Sequence, residues 1–236
     1  MEAPPKATVC LPTYNEAENL EKMVRELGTH GVNVLVIDDG SPDGTGEIAA
    51  RLADELDYVQ VLHRAHKEGI GRAYIAGFEY VLAGDSDLIL EMDCDFSHDP
   101  ADVPRLIAAC EAGADLALGS RYVPGGGTRN WGLVRRLISW GGSFYARLVL
   151  GVRVRDLTGG FKCFQRRVLE TLDLDAIESK GYAFQIETTY RVLRGGFEVV
   201  EVPIVFVDRV AGTSKMRGAI VAEAMLRVPL LRFTAR

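Results

Sequence analysis

The first half of the chain alternates between two hydrophobic periods. Short runs rich in β-branched residues recur at 7–11, 32–37, 58–62, 88–92 and 115–118, as buried strands do. Between them apolar residues return every three or four positions. Leu20, Met23, Val24 and Leu27 form one stripe within 18–27, and Ile48, Leu52 and Leu56 another within 47–56; 71–82 and 102–112 follow the same rule. Strand–helix–strand repetition at this spacing predicts an α/β fold with a mostly parallel central sheet flanked by helices. Ligands gather at the carboxyl ends of such strands. Three polar loops fall there: Pro12-Thr13-Tyr14-Asn15-Glu16, Asp38-Asp39-Gly40-Ser41-Pro42-Asp43-Gly44, and Asp93-Cys94-Asp95.

After Arg121 the alternation stops. The glycine-rich stretch Pro124-Gly125-Gly126-Gly127 leads into a long apolar helix over 131–150. A shorter helix is expected over 187–193 and a strand over 198–207, with Pro203 forcing its middle to an edge or a bulge. An amphipathic helix over 216–232 closes the chain. No repeat or low-complexity linker divides it, so one domain over 1–236 is expected, in parts 1–120, 121–216 and 217–236.

Composition narrows the function classes. A chain of 236 residues can bury one substantial core. Its net charge of −6 argues against a nucleic-acid binder. The first six residues have no basic-then-apolar leader pattern, and charges interrupt every apolar run before a bilayer is spanned. Cys10, Cys94, Cys110 and Cys163 show no Cys-x-x-Cys spacing; core thiols in a reducing, cytoplasmic setting are expected.

Asp93 and Asp95 are the leading chemical candidates. Two carboxylates where a strand runs out into a loop can turn toward one hard cation, and Mg²⁺ or Mn²⁺ is commonly held by one or two carboxylates plus substrate phosphates. An isolated Asp-x-Asp is also an ordinary solvated turn. Asp39 can accept from a ribose diol or a base N–H, whereas Ser41 to Gly44 reads mostly as a turn, with Asp43 capping the next helix. Neither a P-loop nor a G-x-G-x-x-G is present, which disfavours P-loop and NAD enzymes.

Charge asymmetry supplies a second signal. Between Arg121 and Arg155 there are seven arginines and no Asp, Glu or Lys. Guanidinium forks suit phosphate, and the apolar and aromatic residues around them favour a lipid phosphate; pairing with distant acids is the alternative. Arg209 and Lys215 lie on a glycine-containing segment that could clamp a diphosphate. His98 sits close enough to the carboxylates to position the loop.

Six ordered motifs resemble family 2 glycosyltransferases, specifically the dolichol-phosphate (polyprenol-phosphate) mannosyltransferases: Leu11 to Glu16, Asp38 to Gly44, Asp93 to His98, Gly119 to Tyr122, Asp156 to Phe161, and Phe206 to Met216. The resemblance implies a GT-A fold, Rossmann-like in its sheet, and transfer of mannose from GDP-mannose to a polyprenyl (dolichyl) phosphate. It implies that Pro12, Tyr14, Glu16, Ile37, Asp39, Asp93, Cys94 and Asp95 hold the donor, with Arg209 and Lys215 closing over it. Asp93, Asp95 and Ser97 would surround Mg²⁺ or Mn²⁺; Arg121, Arg135 and Ser139 would receive the acceptor phosphate. Asp95, Arg121 and Arg135 would carry the catalysis.

Two departures stand out. Relatives often read Ser-Arg-Gly-Ala where this chain has Ser139-Trp140-Gly141-Gly142, and some place Gln where it has Ser97. A peripheral seat on the cytoplasmic face of a membrane, with or without a separate anchoring subunit, is the expected location. A UDP-glucose-dependent transferase and a non-catalytic lipid-phosphate scaffold are the rival readings.

Overall fold

The computed structural model describes residues 5–179, 181–208 and 218–234, with side chains except at 182 and 218–225. Its centre is a sheet of seven strands: β1 (Ala7–Thr13), β2 (Asn33–Asp38), β3 (Val59–His63), β4 (Leu88–Glu91), β5 (Leu116–Ser120), β7 (Lys162–Gln165) and β8 (Val199–Pro203). Their spatial order is β3-β2-β1-β4-β7-β5-β8. All neighbours pair in parallel except β7, which runs antiparallel to both β4 and β5.

The period-two pattern divides each strand between two layers. Val9, Leu11, Val34, Val36, Leu88 and Leu90 face one side, where α1 (Leu20–Gly28), α2 (Thr45–Glu55) and α4 (Val103–Glu111) pack; Cys10, Leu35, Ile37 and Ile89 face the other, against α3 (Ile70–Leu82), α6 (Arg166–Thr171) and α7 (Gly181–Arg194). A Cβ at Gly77 of α3 would stand 2.4 Å from Cδ1 of Ile37, so glycine is what lets this helix approach β2. A third apolar cluster joins α5 (Leu133–Leu150), α7 and α8 (Gly218–Thr234). All four cysteines are buried and free.

The sheet continues past the point where the sequence pattern breaks. β7 went unforeseen because it is only four residues long and opens on a charged residue, Lys162; the lysine is buried and paired with Glu91 at 2.8 Å. The strand expected over 198–207 is two strands. Pro203 ends β8 on the sheet's edge, and after Ile204 the chain enters β9 (Val205–Val207), which pairs with β6 (Gly127–Arg129). The helix expected over 187–193 begins six residues earlier, at Gly181.

Reversal of β7 matters for function. Its amino end, led in by Thr158-Gly159-Gly160-Phe161, emerges at the same side as the carboxyl ends of β4 and β5. One strand therefore separates Asp93 and Asp95 from Arg121, by about 10 Å at ordinary sheet spacing. The loop feeding β7 forms the floor between them.

Candidate active site

A cavity of about 330 Å³ opens at these strand ends. Its first wall is made by the loops after β1 and β2, which three hydrogen bonds join. The backbone amides of Asn15, Glu16 and Ala17 donate to Ser41 Oγ at 3.1 Å, Thr45 Oγ1 at 2.9 Å and Asp43 Oδ2 at 3.2 Å. Asp43 also accepts from the Thr45 amide at 3.1 Å. Residues legible as a turn thus fix the neighbouring loop, where Asn15 holds a φ of 60°, a region Asn tolerates better than most residues. Pro12, Tyr14, Glu16 and Asp39 line the cavity. Ile37 does not; it is a core side chain packed on α3.

Asp39 is anchored by Arg64 at 2.5 Å, and Arg64 is held in turn by Glu68 at 2.7 Å. Burial pushes the Asp39 carboxyl up, against the opposing pull of the Arg64 charge. Lys67, a residue no sequence motif marks, places its ammonium 3.6 Å from the centre of the Tyr14 ring. Both line the cavity.

At the end of β4, Asp93, Cys94 and Asp95 all reach the cavity wall. Asp95 Oδ1 accepts from the Ser97 amide at 3.0 Å. The turn between them sets Phe96 at a φ of 58°, a conformation that costs about 1–2 kcal/mol for a non-glycine residue. Ser97 itself is fully buried behind this turn and does not line the cavity, and among the described residues its Oγ has no hydrogen-bond partner. His98 stacks on Phe161 with ring centres 5.1 Å apart and meets the edge of Phe206 at the same separation. The Asp93 amide donates to its Nδ1 at 3.5 Å.

The donor set fits a hard divalent cation. Burial first, then the carboxylates of Glu16, Asp95 and Asp93, push the Cys94 thiol well above its ordinary range. Among the described lining residues five carboxylates (Glu16, Asp39, Asp93, Asp95, Asp208) face two cations, Lys67 and Arg121. An anionic diphosphate entering such a cavity needs additional positive charge. No three His, Cys, Asp or Glu side chains among the described residues form a closed metal cage.

On the opposite wall Arg121 is buried and held by Asp156. Nε donates to Oδ2 at 2.7 Å, Nη2 to Oδ1 at 2.6 Å, and the backbone amide to Oδ2 at 2.9 Å; Nη2 also donates to Thr158 Oγ1 at 2.8 Å. Burial alone would raise the Asp156 carboxyl, but the Arg121 charge and hydrogen bonds together hold it below the usual range. The arginine-rich stretch is therefore not unopposed: its partners come from outside it. Arg135 likewise pairs with Asp208 at 2.5 Å. Arg121 and Arg135 both pack on Trp131, 5.6 and 4.2 Å from its ring centre. Arg135 and Ser139 do not line the cavity, though Asp208 does; Ser139 Oγ accepts from the Tyr122 hydroxyl at 2.8 Å. Arg209 and Lys215 lie outside the described residues.

The floor holds a buried ion pair. Lys162 and Glu91 are both fully buried, and the Lys162 ammonium also donates to the side chain of Gln185, which lines the cavity. Burial lowers the Lys162 ammonium and raises the Glu91 carboxyl. Asp156, Thr158, Gly159-Gly160 and Asp208 stood in motifs without individual roles; Gln185 stood in none.

Residues 8–173 match the profile of Glycosyl transferase family 2. The chain is 49% identical over 226 residues to polyprenol monophosphomannose synthase of Mycolicibacterium smegmatis, covering 94% of this chain and 85% of that protein. It is also 49% identical over 228 residues to undecaprenyl-phosphate mannosyltransferase of Micrococcus luteus, covering 96% and 93%. Among solved structures, glucosyl-3-phosphoglycerate synthase from Mycobacterium tuberculosis in complex with Mg²⁺ and UDP superposes with a TM-score of 0.71 at 20% identity, over 96% of this chain and 79% of that one. The mannosyltransferase PcManGT from Pyrobaculum calidifontis, in complex with GDP-Man and Mn²⁺, gives 0.58 at 16% identity, over 99% and 73%. Likeness at these identities establishes the GT-A fold.

Proposed function

The chain belongs to glycosyl transferase family 2, and from that premise we propose that it transfers mannose from GDP-mannose to a polyprenyl monophosphate with inversion. The observation that carries this reading is the near full-length likeness to two enzymes named for mannosylating polyprenyl phosphates. The cavity supplies a chemistry to match.

An oxygen of the lipid phosphate attacks the anomeric carbon of mannose as the bond from that carbon to the GDP oxygen breaks, and the bonding pair leaves with GDP. No base is needed to create the nucleophile, because the second ionisation of a phosphate monoester lies at about 6. The difficulty is electrostatic. Unit charges 4 Å apart repel by about 4 kcal/mol at an effective dielectric of 20, worth about a thousandfold in rate. Mg²⁺ or Mn²⁺ at Asp93 and Asp95 would supply Lewis-acid neutralisation of the leaving diphosphate. Tyr14, Lys67 and Asp39 hold the nucleotide against the stitched loops, and Arg209 and Lys215 are assigned by family resemblance to close over it.

Arg121, locked by Asp156, presents a fixed guanidinium edge, and fixed charge costs no reorganisation as the anion arrives. Arg135 is released from Asp208 to the incoming phosphate, with Ser139 beside it on α5. The buried hydroxyl of Ser97 favours a metal held by Asp93 and Asp95 without it.

A peripheral seat on the cytoplasmic face of a membrane belongs to the same proposal. Among the described residues no helix is long and apolar enough to cross a bilayer. Yet α5 exposes Leu133, Val134, Leu137 and Leu148, and α8 exposes Leu226, Leu230 and Phe233. Apolar area of this kind marks an interaction surface, and a membrane surface is where a polyprenyl acceptor resides.

The test is a donor screen: GDP-mannose and UDP-glucose, each with a short polyprenyl phosphate and Mg²⁺, the product read by mass. Hexose addition from GDP-mannose alone is expected. Preference for UDP-glucose, or no transfer to the lipid, would contradict the reading.

A further inference from the structure

One residue beyond Arg121, the Tyr122 ring belongs to a second cavity, of about 340 Å³, lined by Tyr122, Trp140, Phe144, Arg147 and Arg155. Three of these come from one face of α5 at positions 140, 144 and 147, the spacing that brings side chains together along a helix. Trp140 and Phe144 stack with ring centres 5.4 Å apart.

The two arginines differ from those already described. Arg121 and Arg135 have carboxylate partners. Among the described residues, Arg147 and Arg155 form no ion pair with a carboxylate, and Nε of Arg147 is buried without a hydrogen-bond partner. A buried donor lacking an acceptor is costly, and a guanidinium beside aromatic rings is suited to a phosphate oxygen. On the same helix Leu133, Leu137 and Leu148 are 75%, 68% and 72% exposed. Charge and apolar surface therefore coincide on one element.

We infer that this cavity holds the phosphate of an anionic phospholipid headgroup, separate from the site assigned to the acceptor phosphate. The headgroup docks between the Arg147 and Arg155 guanidiniums, the Trp140–Phe144 stack lies at the level of the bilayer interface, and the exposed leucines of α5 enter the apolar layer. Docking fixes the rotation of α5, the helix that also carries Arg135 and Ser139. The inference rests on the membrane-surface reading and does not depend on the identity of the donor sugar.

Vesicle flotation of the full chain tests it, with neutral phosphatidylcholine vesicles and with vesicles containing phosphatidylglycerol. Binding to neutral vesicles probes the membrane seat; the increment on adding anionic lipid probes the cavity. Wild type should gain about thirtyfold in partition, what two arginines at about 1 kcal/mol each contribute. Arg147→Gln/Arg155→Gln should lose that gain, and Arg136→Gln/Arg153→Gln, which removes equal charge from exposed positions, should keep most of it. Arg155→Gln alone, a change at an exposed residue, should lose part of the gain and guards against misfolding of the double variant. Equal loss in both pairs would mean a diffuse basic surface and overturn the site. Absence of any increment, with neutral binding intact, would overturn the site and leave the membrane seat standing. Calorimetric titration with inorganic phosphate at constant ionic strength separates the two sources of phosphate: no saturable binding is expected, and saturable binding without a vesicle increment would assign the cavity to a free anion.

Discussion

The Arg135 guanidinium donates to the Asp208 carboxylate at 2.5 Å, joining a residue that does not line the cleft to one that does. The carboxylate occupies a fork that a phosphate could take. Arg135→Ala is therefore expected to leave GDP-mannose affinity unchanged, as measured by calorimetry, while transfer to polyprenyl phosphate falls at least about thirtyfold, the usual cost of truncating a close charge pair. Parallel loss of donor binding and transfer would contradict the assignment.

Asp95 both faces the cavity and accepts from the Ser97 amide at 3.0 Å. Asp95→Asn keeps an acceptor for that turn but removes the charge. It should melt close to wild type yet lose Mg²⁺-dependent GDP-mannose binding, measured by titration with and without EDTA. Binding that is indifferent to EDTA in the wild type would sink the metal role.

Lys162 and Glu91 form a fully buried pair at 2.8 Å. Removing one partner strands a charge, so Lys162→Met should cost about 3–5 kcal/mol in denaturant unfolding. Glu91→Leu/Lys162→Met should recover most of that loss, because replacing both charges with apolar groups is often close to neutral. A double variant as unstable as the single one would show that the pair does more than balance itself.

Asp156 gives a pH dependence. Its folded carboxyl is held below the ordinary value despite its burial, by the Arg121 charge and hydrogen bonds. Such a group adds stability that is complete above the unfolded pKa of about 3.9 and is lost as pH falls through the depressed folded value. Wild-type unfolding free energy should therefore fall more steeply below about pH 4 than that of Asp156→Asn. Equal slopes would mean that Asp156 does not stay ionised into that range.

The fold was legible where its physics is local. Alternating runs and amphipathic stripes marked β1 to β5 and α1 to α4 because each buries one face. β7 escaped because its one charged residue is compensated by Glu91, far away in sequence. The same reason hid the partners of the arginines: Asp156 lies one residue past the arginine-rich stretch and Asp208 lies 73 residues beyond Arg135, and only folding brings them together. In the site, Pro12, Tyr14, Glu16, Asp39, Asp93, Cys94, Asp95 and Arg121 all reach one cavity, as strand-end loops of a parallel sheet should. Ile37 and Ser97 turn into the interior; a motif names a residue but not the direction of its side chain. Lys67 and Gln185 join the cavity through tertiary contact alone.

One cavity would bring a metal-bound nucleotide diphosphate and a guanidinium-held phosphate together. Diffraction from a crystal soaked with GDP-mannose and Mn²⁺, with anomalous data collected for manganese, tests it most directly. A manganese peak in contact with Asp95 and the diphosphate is expected, with the mannose ring between that diphosphate and Arg121. A diphosphate bound away from Asp93 and Asp95, or a mannose pointing away from Arg121, would contradict it.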